Sequence, residues 1–203
     1  MLGKTHMVVG IATTLAVTRP DTITGILTAV SMGAVGALIS DLDVDSSIAN
    51  KKANQILPLL LVIVVLAVII DLVFQVGLWR KIWNHSNFLK ILGGMVAFVS
   101  ICLFGKNQPH RSFMHSLLAL ATLDISLSLI YLPFVQYFTV GFLSHLAIDL
   151  LNKKKLKLLY PKKDGFSLRL CSSSGIVNRI LFVACSVLSG LEVLLFLVLS
   201  IKK

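Results

Sequence analysis

Charge is what this sequence has least of: Asp, Glu, Lys and Arg supply 14% of its 203 residues, where soluble domains carry about a quarter. Hydrophobic residues supply 56%, and the mean hydropathy is +0.90. A soluble globular domain is excluded by that balance, and an integral membrane protein is expected. Cysteine is scarce as well. Cys102, Cys171 and Cys185 stand mostly in apolar context at no metal-ligand spacing, which argues against a disulfide framework and for small core hydrophobes. No small-x-small cleavage site follows the first apolar stretch before Arg19-Pro20-Asp21, so the amino-terminal residues read as retained structure. With no internal repeat and no low-complexity linker, one integral membrane domain over residues 1–203 is expected.

What the sequence has in abundance is apolar run. Segments near or above the ~18 residues that cross a bilayer lie at 22–40, 56–74, 114–134 and 176–201, with shorter ones at 91–105 and 135–151. Residues 5–17 are short for a span, and Arg19-Pro20-Asp21 breaks them before a new helix begins near Thr22, so these two helices form an expected hairpin. Gly25, Gly33 and Gly36 permit close helix approach along the second helix, which stops at Ser40-Asp41-Leu42-Asp43-Val44-Asp45. After 56–74, Trp79, Arg80, Lys81, Trp83 and His85 make an interfacial aromatic and basic cluster. Pro133 divides the stretch that follows Ser112 into two helices. The expected fold class is therefore all-α, a polytopic membrane bundle of six to seven hydrophobic helices with a short N-terminal helical hairpin.

A net charge of +10 would suggest nucleic acid in a soluble protein. Here the basic residues flank hydrophobic spans, so topology and anionic headgroups explain them, and no nucleic-acid partner is expected. Following the spans alternately brings His6, Asp41, His110 and Asp149 to one membrane face. Of the 19 basic residues only Arg19, Arg80, Lys81, Lys90, Lys202 and Lys203 fall on the other face, so the motif face is expected to be cytoplasmic, at the inner membrane.

Four of the five histidines gather on that face. His110 and His115 are five residues apart, about 140° around a helix, and would point apart if both were helical. The sequence predicts His110 in a loop after Pro109, Ser112 as a helix N-cap, and His115 in the first turn, where the positive end of the helix dipole keeps its ring neutral and able to ligate. His145 and Asp149 are four apart on one helix face and can converge on one ion. Asp41 and Asp149 both close helices at the end where the dipole opposes a carboxylate, which asks for a cation. Taken singly, each has a bland alternative. A membrane histidine can bond between helices, Asp43 and Asp45 can be interface acids, Arg111 can be a positive-inside anchor, and Asp71, Asp124 and Glu192 can pair with buried polar groups. Coincidence on one face is what the bland alternatives explain poorly.

A His and Asp set without cysteine suits Zn²⁺, with Mn²⁺ or Fe as alternatives. His6, Asp41, Asp43, His110, His115, His145 and Asp149 exceed one tetrahedral site, and two ions accommodate them most simply. Paired metals favour hydrolysis of phosphate esters by an activated water. Arg111 would then hold a phosphoryl oxygen, and Asp43 would act as ligand or as the residue that orients one. A zincin-type membrane protease needs His-Glu-x-x-His, which is not present. A lipid-phosphatase site needs a Ser-Arg pair before its His-x-x-x-Asp, and Phe142-Leu143-Ser144 stands there instead.

These motifs resemble those of the YdjM-type family of membrane-bound metal-dependent hydrolases: Thr5-His6, Asp41-Leu42-Asp43, His110-Arg111 followed by His115-Ser116, and Ser144-His145 followed by Asp149, a basic stretch and Tyr160-Pro161. They occur in family order and cover most of the chain. Ser40 stands where the family usually has Pro, and Ser112-Phe113-Met114 where it has Gly-x-Thr. The resemblance implies an all-helical fold distantly similar to zinc phospholipase C and a hydrolase activity. The expected function is a metal-dependent phosphoesterase acting on a lipid or lipid-linked substrate among membrane lipids. A metal-binding membrane protein or cation carrier without hydrolysis is the alternative.

Overall fold

The computed structural model describes residues 1–44, 47, 50–51, 54–55, 73 and 87–201. The expected span at 56–74, the cluster of Trp79, Arg80, Lys81, Trp83 and His85, and the acids Asp45 and Asp71 lie outside the described residues. Among the described residues the class is all-α. These described residues form six helices, α1 (Gly3–Thr18), α2 (Ile23–Ile39), α3 (Phe88–Lys106), α4 (Leu117–Tyr131), α5 (Pro133–Leu150) and α6 (Ile176–Ile201), with 3₁₀ turns at Ser40–Asp43 after α2 and at Phe113–His115 before α4.

Local chemistry sets these boundaries. Arg19 closes α1 in the left-handed region at φ 43°, Pro20 follows, and Thr22 starts α2 by accepting the Gly25 N–H on its hydroxyl at 3.0 Å. The expected hairpin is observed as an antiparallel pair. Gly3 faces Asp41, while a Cβ on Gly10 would lie 2.4 Å from that of Ala37. The next contact is closer still: a Cβ on Gly36 would come 2.3 Å from the Phe138 carbonyl oxygen, and one on Gly141 2.3 Å from that of Gly33. Only glycine lets the backbones of α2 and α5 meet this way.

Phe138 and Phe142 of α5, Leu123 and Leu127 of α4, Met114 and Leu156 form the buried core beside that contact. Pro133 occupies the first turn of α5, where its missing N–H costs nothing, and so separates α4 from α5 as expected. Outside the core, α6 packs along α1 and exposes Leu188, Leu191, Leu194 and Leu195, the surface a lipid-facing helix presents.

Two described segments are long and apolar enough to cross a bilayer, Ile23–Asp43 and Ile176–Val198. Among the other described helices, α1 and α4 have 16 and 15 residues, under the ~18 a span needs.

Candidate metal centre

Alternation of the helices brings the start of α1, the end of α2, the turn before α4 and the end of α5 together at one end of the bundle, and each supplies a polar side chain there. His6 comes from the first turn of α1. Asp41 and Asp43 come from the 3₁₀ turn that tightens the end of α2, anchored where the Ser47 hydroxyl donates to the Asp41 carbonyl at 2.6 Å. His145 and Asp149 come from one face of α5.

The segment between α3 and α4 differs from expectation. Ser112 does not cap a helix; its hydroxyl donates to the Pro109 carbonyl within the loop. Phe113–His115 form a 3₁₀ turn, and the cap of α4 is Ser116, whose hydroxyl accepts the Ala119 N–H at 3.1 Å. His115 thus precedes the helix. The turn, not the helix, aims its ring, because Ser112 and Phe113 carbonyls take the His115 and Ser116 N–H groups at 3.2 and 3.0 Å. Arg111 holds a left-handed backbone at φ 66°, and its N–H donates to Asp43 Oδ2 at 3.1 Å.

The side chains form three overlapping groups able to hold a cation: His6 with His145 and Asp149, Asp41 with His115 and His145, and Asp43 with His110 and His115. All seven expected ligands fall within them. At the middle, Asp41 Oδ1 lies 3.9 Å from both His115 Nε2 and His145 Nε2, and Asp149 Oδ2 lies 3.9 Å from His115 Nε2. Ligands of a tetrahedral ion with ~2.0–2.1 Å bonds sit about 3.4 Å apart, so a small inward shift closes this set on one ion. The other Asp149 oxygen, Oδ1, turns to His6 Nε2 at 3.2 Å, which makes Asp149 a carboxylate shared between two groups. The His6 and His145 rings stack with centroids 3.8 Å apart.

Whether these residues fit a cation is tested by what they leave unpaired. His145 donates from Nδ1 to the Ala37 carbonyl at 2.6 Å, which fixes the tautomer and leaves Nε2 as a buried acceptor without a hydrogen-bond partner. His115 is buried with neither ring nitrogen hydrogen-bonded; Nδ1 is 3.3 Å from Asp43 Oδ2 but outside hydrogen-bond geometry, and Nε2 faces the middle group. Buried polar atoms are rarely left unpaired, and a ligating histidine held through its other nitrogen by a carbonyl or carboxylate is the usual arrangement at a metal. The donor set fits a divalent cation.

Asp43 is fully engaged in orienting its neighbours. Its Oδ1 accepts from His110 Nδ1 at 3.0 Å while Oδ2 takes the Arg111 N–H and faces His115. His110, whose side chain is 39% exposed, stands outermost of the ligand set.

The model of the YdjM inner membrane protein family matches residues 1–202. The chain belongs to that family. No curated protein and no solved structure matches it. What the YdjM assignment adds to the geometry is the location, since the family is one of inner membrane proteins.

In this YdjM chain a cavity of about 660 Å³ is lined by Asp41, His110, Arg111 and Asp149 of the His and Asp cluster and its neighbours, and by Lys4, Lys153 and Lys154. The Arg111 guanidinium is held on two sides, by Asp149 Oδ2 at 3.0 Å and the Lys154 carbonyl at 2.6 Å. Sequence reasoning missed Asn152. Its amide donates to Asp149 Oδ1 at 2.8 Å, and the only sequence signal for it is a spacing of three residues past Asp149, where a helix end curls back on its last turn.

Proposed function

We propose that this protein is a multi-pass inner-membrane hydrolase of phosphate esters, with a divalent-metal centre open to the cytoplasmic face and a lipid or lipid-linked substrate. The observation that carries the proposal is the meeting of a buried, cation-fitting His and Asp cluster with a basic-rimmed cavity large enough for a headgroup. A carrier would need polar groups continuing toward the other end of the bundle. Among the described residues the ligand groups stop at one end.

Asp41, His115, His145 and Asp149 would hold one ion, and Asp149 with His6 would share a second. Zn²⁺ suits the ligand types best. Such an ion supplies Lewis acidity and an activated water. The chain does the rest. Lys4, Lys153 and Lys154 draw an anionic ester into the cavity, and Arg111, at its wall, neutralises phosphoryl charge. Asp43 keeps His110 and His115 in place, and the Ala37 carbonyl does the same for His145.

Metal analysis of the detergent-purified protein tests this first, with His115→Ala and Asp149→Ala alongside. Stoichiometric metal that both variants lose is the expected result. Metal-free wild type, after purification without chelator, would sink both the hydrolase and the carrier. Release of phosphate or alcohol from phospholipids and soluble phosphodiesters then separates the two.

A further inference from the structure

The loop that joins α5 to α6 is apolar where a loop facing water would be polar. Leu159, Phe166, Leu168 and Leu170 are 46%, 48%, 60% and 72% exposed. The backbone beneath them is fixed. Leu156 and Phe166 exchange N–H to carbonyl bonds at 2.8 Å in both directions, and the N–H groups of Leu168 and Leu170 donate to the Leu150 and Leu151 carbonyls at 2.8 and 2.9 Å. Leu156 is itself part of the buried core, so the exposed side chains ride on a segment anchored to the bundle. A single exposed leucine is ordinary, whereas four large apolar side chains exposed between residues 159 and 170, among charged neighbours, mark a contact surface.

Charge decides what covers that surface. Residues 152–170 hold seven basic side chains and one acid, Asp164. A second copy of the chain, meeting the first in a self-complementary contact, would set this charge against itself. An acidic lipid leaflet is its complement. Position agrees, because the part of α6 long and apolar enough to cross a bilayer starts at Ile176, six residues after Leu170, and Ile176, 79% exposed, carries the apolar surface of α6 up to the loop. We infer that residues 159–170 seat on the acidic leaflet at the head of α6, with their apolar side chains among the headgroups and their lysines on lipid phosphates. Lys153, Lys154, Ser172 and Ser173 of the same loop line the cavity, so the seating holds that cavity at headgroup level. The surface goes beyond the hydrolase proposal, since it needs a membrane but no bond to be cleaved.

Loop depth is the quantity to measure. Protein with Cys102, Cys171 and Cys185 replaced by serine receives Leu168→Cys, Leu170→Cys or Asp164→Cys and an environment-sensitive fluorophore. Each is reconstituted in phosphatidylcholine vesicles with and without phosphatidylglycerol, and quenching by lipids spin-labelled near the headgroup is read. With phosphatidylglycerol present, quenching at 168 and 170 should exceed that at 164 severalfold, because interfacial apolar groups sink about 5–10 Å into the headgroup region. Leaving phosphatidylglycerol out should remove most of the difference. Equal quenching at the three positions overturns the inference, and so does a difference that survives without phosphatidylglycerol, since charge would then not select the lipid. Self-quenching relieved by dilution with unlabelled protein would give the surface to a second copy and overturns it as well. Trypsin on unlabelled wild type covers a variant that misfolds: cleavage within residues 162–169 should be severalfold slower with phosphatidylglycerol than without, and equal rates count against the seating. Turnover enters none of these readings, so a protein that cleaves nothing overturns the hydrolase proposal and leaves the surface standing.

Discussion

At the scale of the residue, the ligands and the groups that orient them make different predictions. His145 brings Nε2 to the middle group, and nothing else described can take its place there, so His145→Ala should abolish bound metal at any concentration. Asp43 has both oxygens hydrogen-bonded, Oδ1 to His110 and Oδ2 to the Arg111 N–H, and Oδ2 also lies 3.3 Å from His115 Nδ1. Asp43→Ala should keep full stoichiometry at saturating metal while weakening affinity about 10–100-fold, the usual cost of removing an orienting carboxylate. Competition with a chelator, read by elemental analysis, distinguishes the two; an Asp43→Ala protein that never reaches wild-type stoichiometry would make Asp43 a ligand. Arg111 offers a test of its backbone. At φ 66° any residue with a Cβ is strained, so Arg111→Gly should melt above Arg111→Ala in the same detergent, by about 1 kcal/mol, although both lose the guanidinium. His110, Arg111, His115, His145 and Asp149 were legible in the sequence because an apolar chain has few other reasons to carry them. Asn152 was not, since one asparagine at a helix end is ordinary until its amide is seen on Asp149.

At the scale of the element, the centre depends on how closely three helices approach. The α1–α2 hairpin and the break at Pro133 could be read from composition alone, because a Pro-containing polar link and an isolated proline leave few options. Which glycines mattered could not. Gly25 stands beside the cap of α2, while Gly33, Gly36 and Gly141 make the contact that sets the spacing between α2 and α5, and so between Asp41 and His145. Likewise, choosing between Ser112 and Ser116 as the cap before α4 depends on where the loop is tied, and the sequence does not reveal that tie. Gly141→Ala would push a methyl group to 2.3 Å from the Gly33 carbonyl oxygen and should both lower the melting temperature and loosen metal binding. Gly93→Ala, on α3 with nothing within 4 Å, should instead be neutral or stabilise by about 0.5–1 kcal/mol. Equal behaviour of the two would mean that helix propensity, and not the α2–α5 contact, governs.

At the scale of the whole molecule, the arrangement has two ends. His6, Asp41, His115 and Asp149 mark one, and the link at Arg19–Thr22 marks the other, because α1 and α2 run antiparallel between them. The basic loop after α5 belongs to the first end: Lys157 donates its N–H to the Arg111 carbonyl at 3.1 Å, and Leu117 donates to that of Leu158 at 3.0 Å. Hydropathy could announce a membrane protein but not how many of its helices cross, since α4 and α1, at 15 and 16 residues, are buried partners as much as spans. Positive charge gathers at the ligand end, and the proposed cytoplasmic orientation of that end follows the positive-inside rule. With Cys102, Cys171 and Cys185 replaced by serine, Lys155→Cys should react with a membrane-impermeant maleimide in inverted vesicles and stay unlabelled in intact spheroplasts. Arg19→Cys, exposed at the opposite end, should show the reverse. Labelling of Lys155→Cys from outside would place the metal centre in the periplasm. Labelling of both from the cytoplasm would mean that the α1–α2 hairpin dips into the bilayer without crossing it, leaving the ligand end where it is and moving only the link.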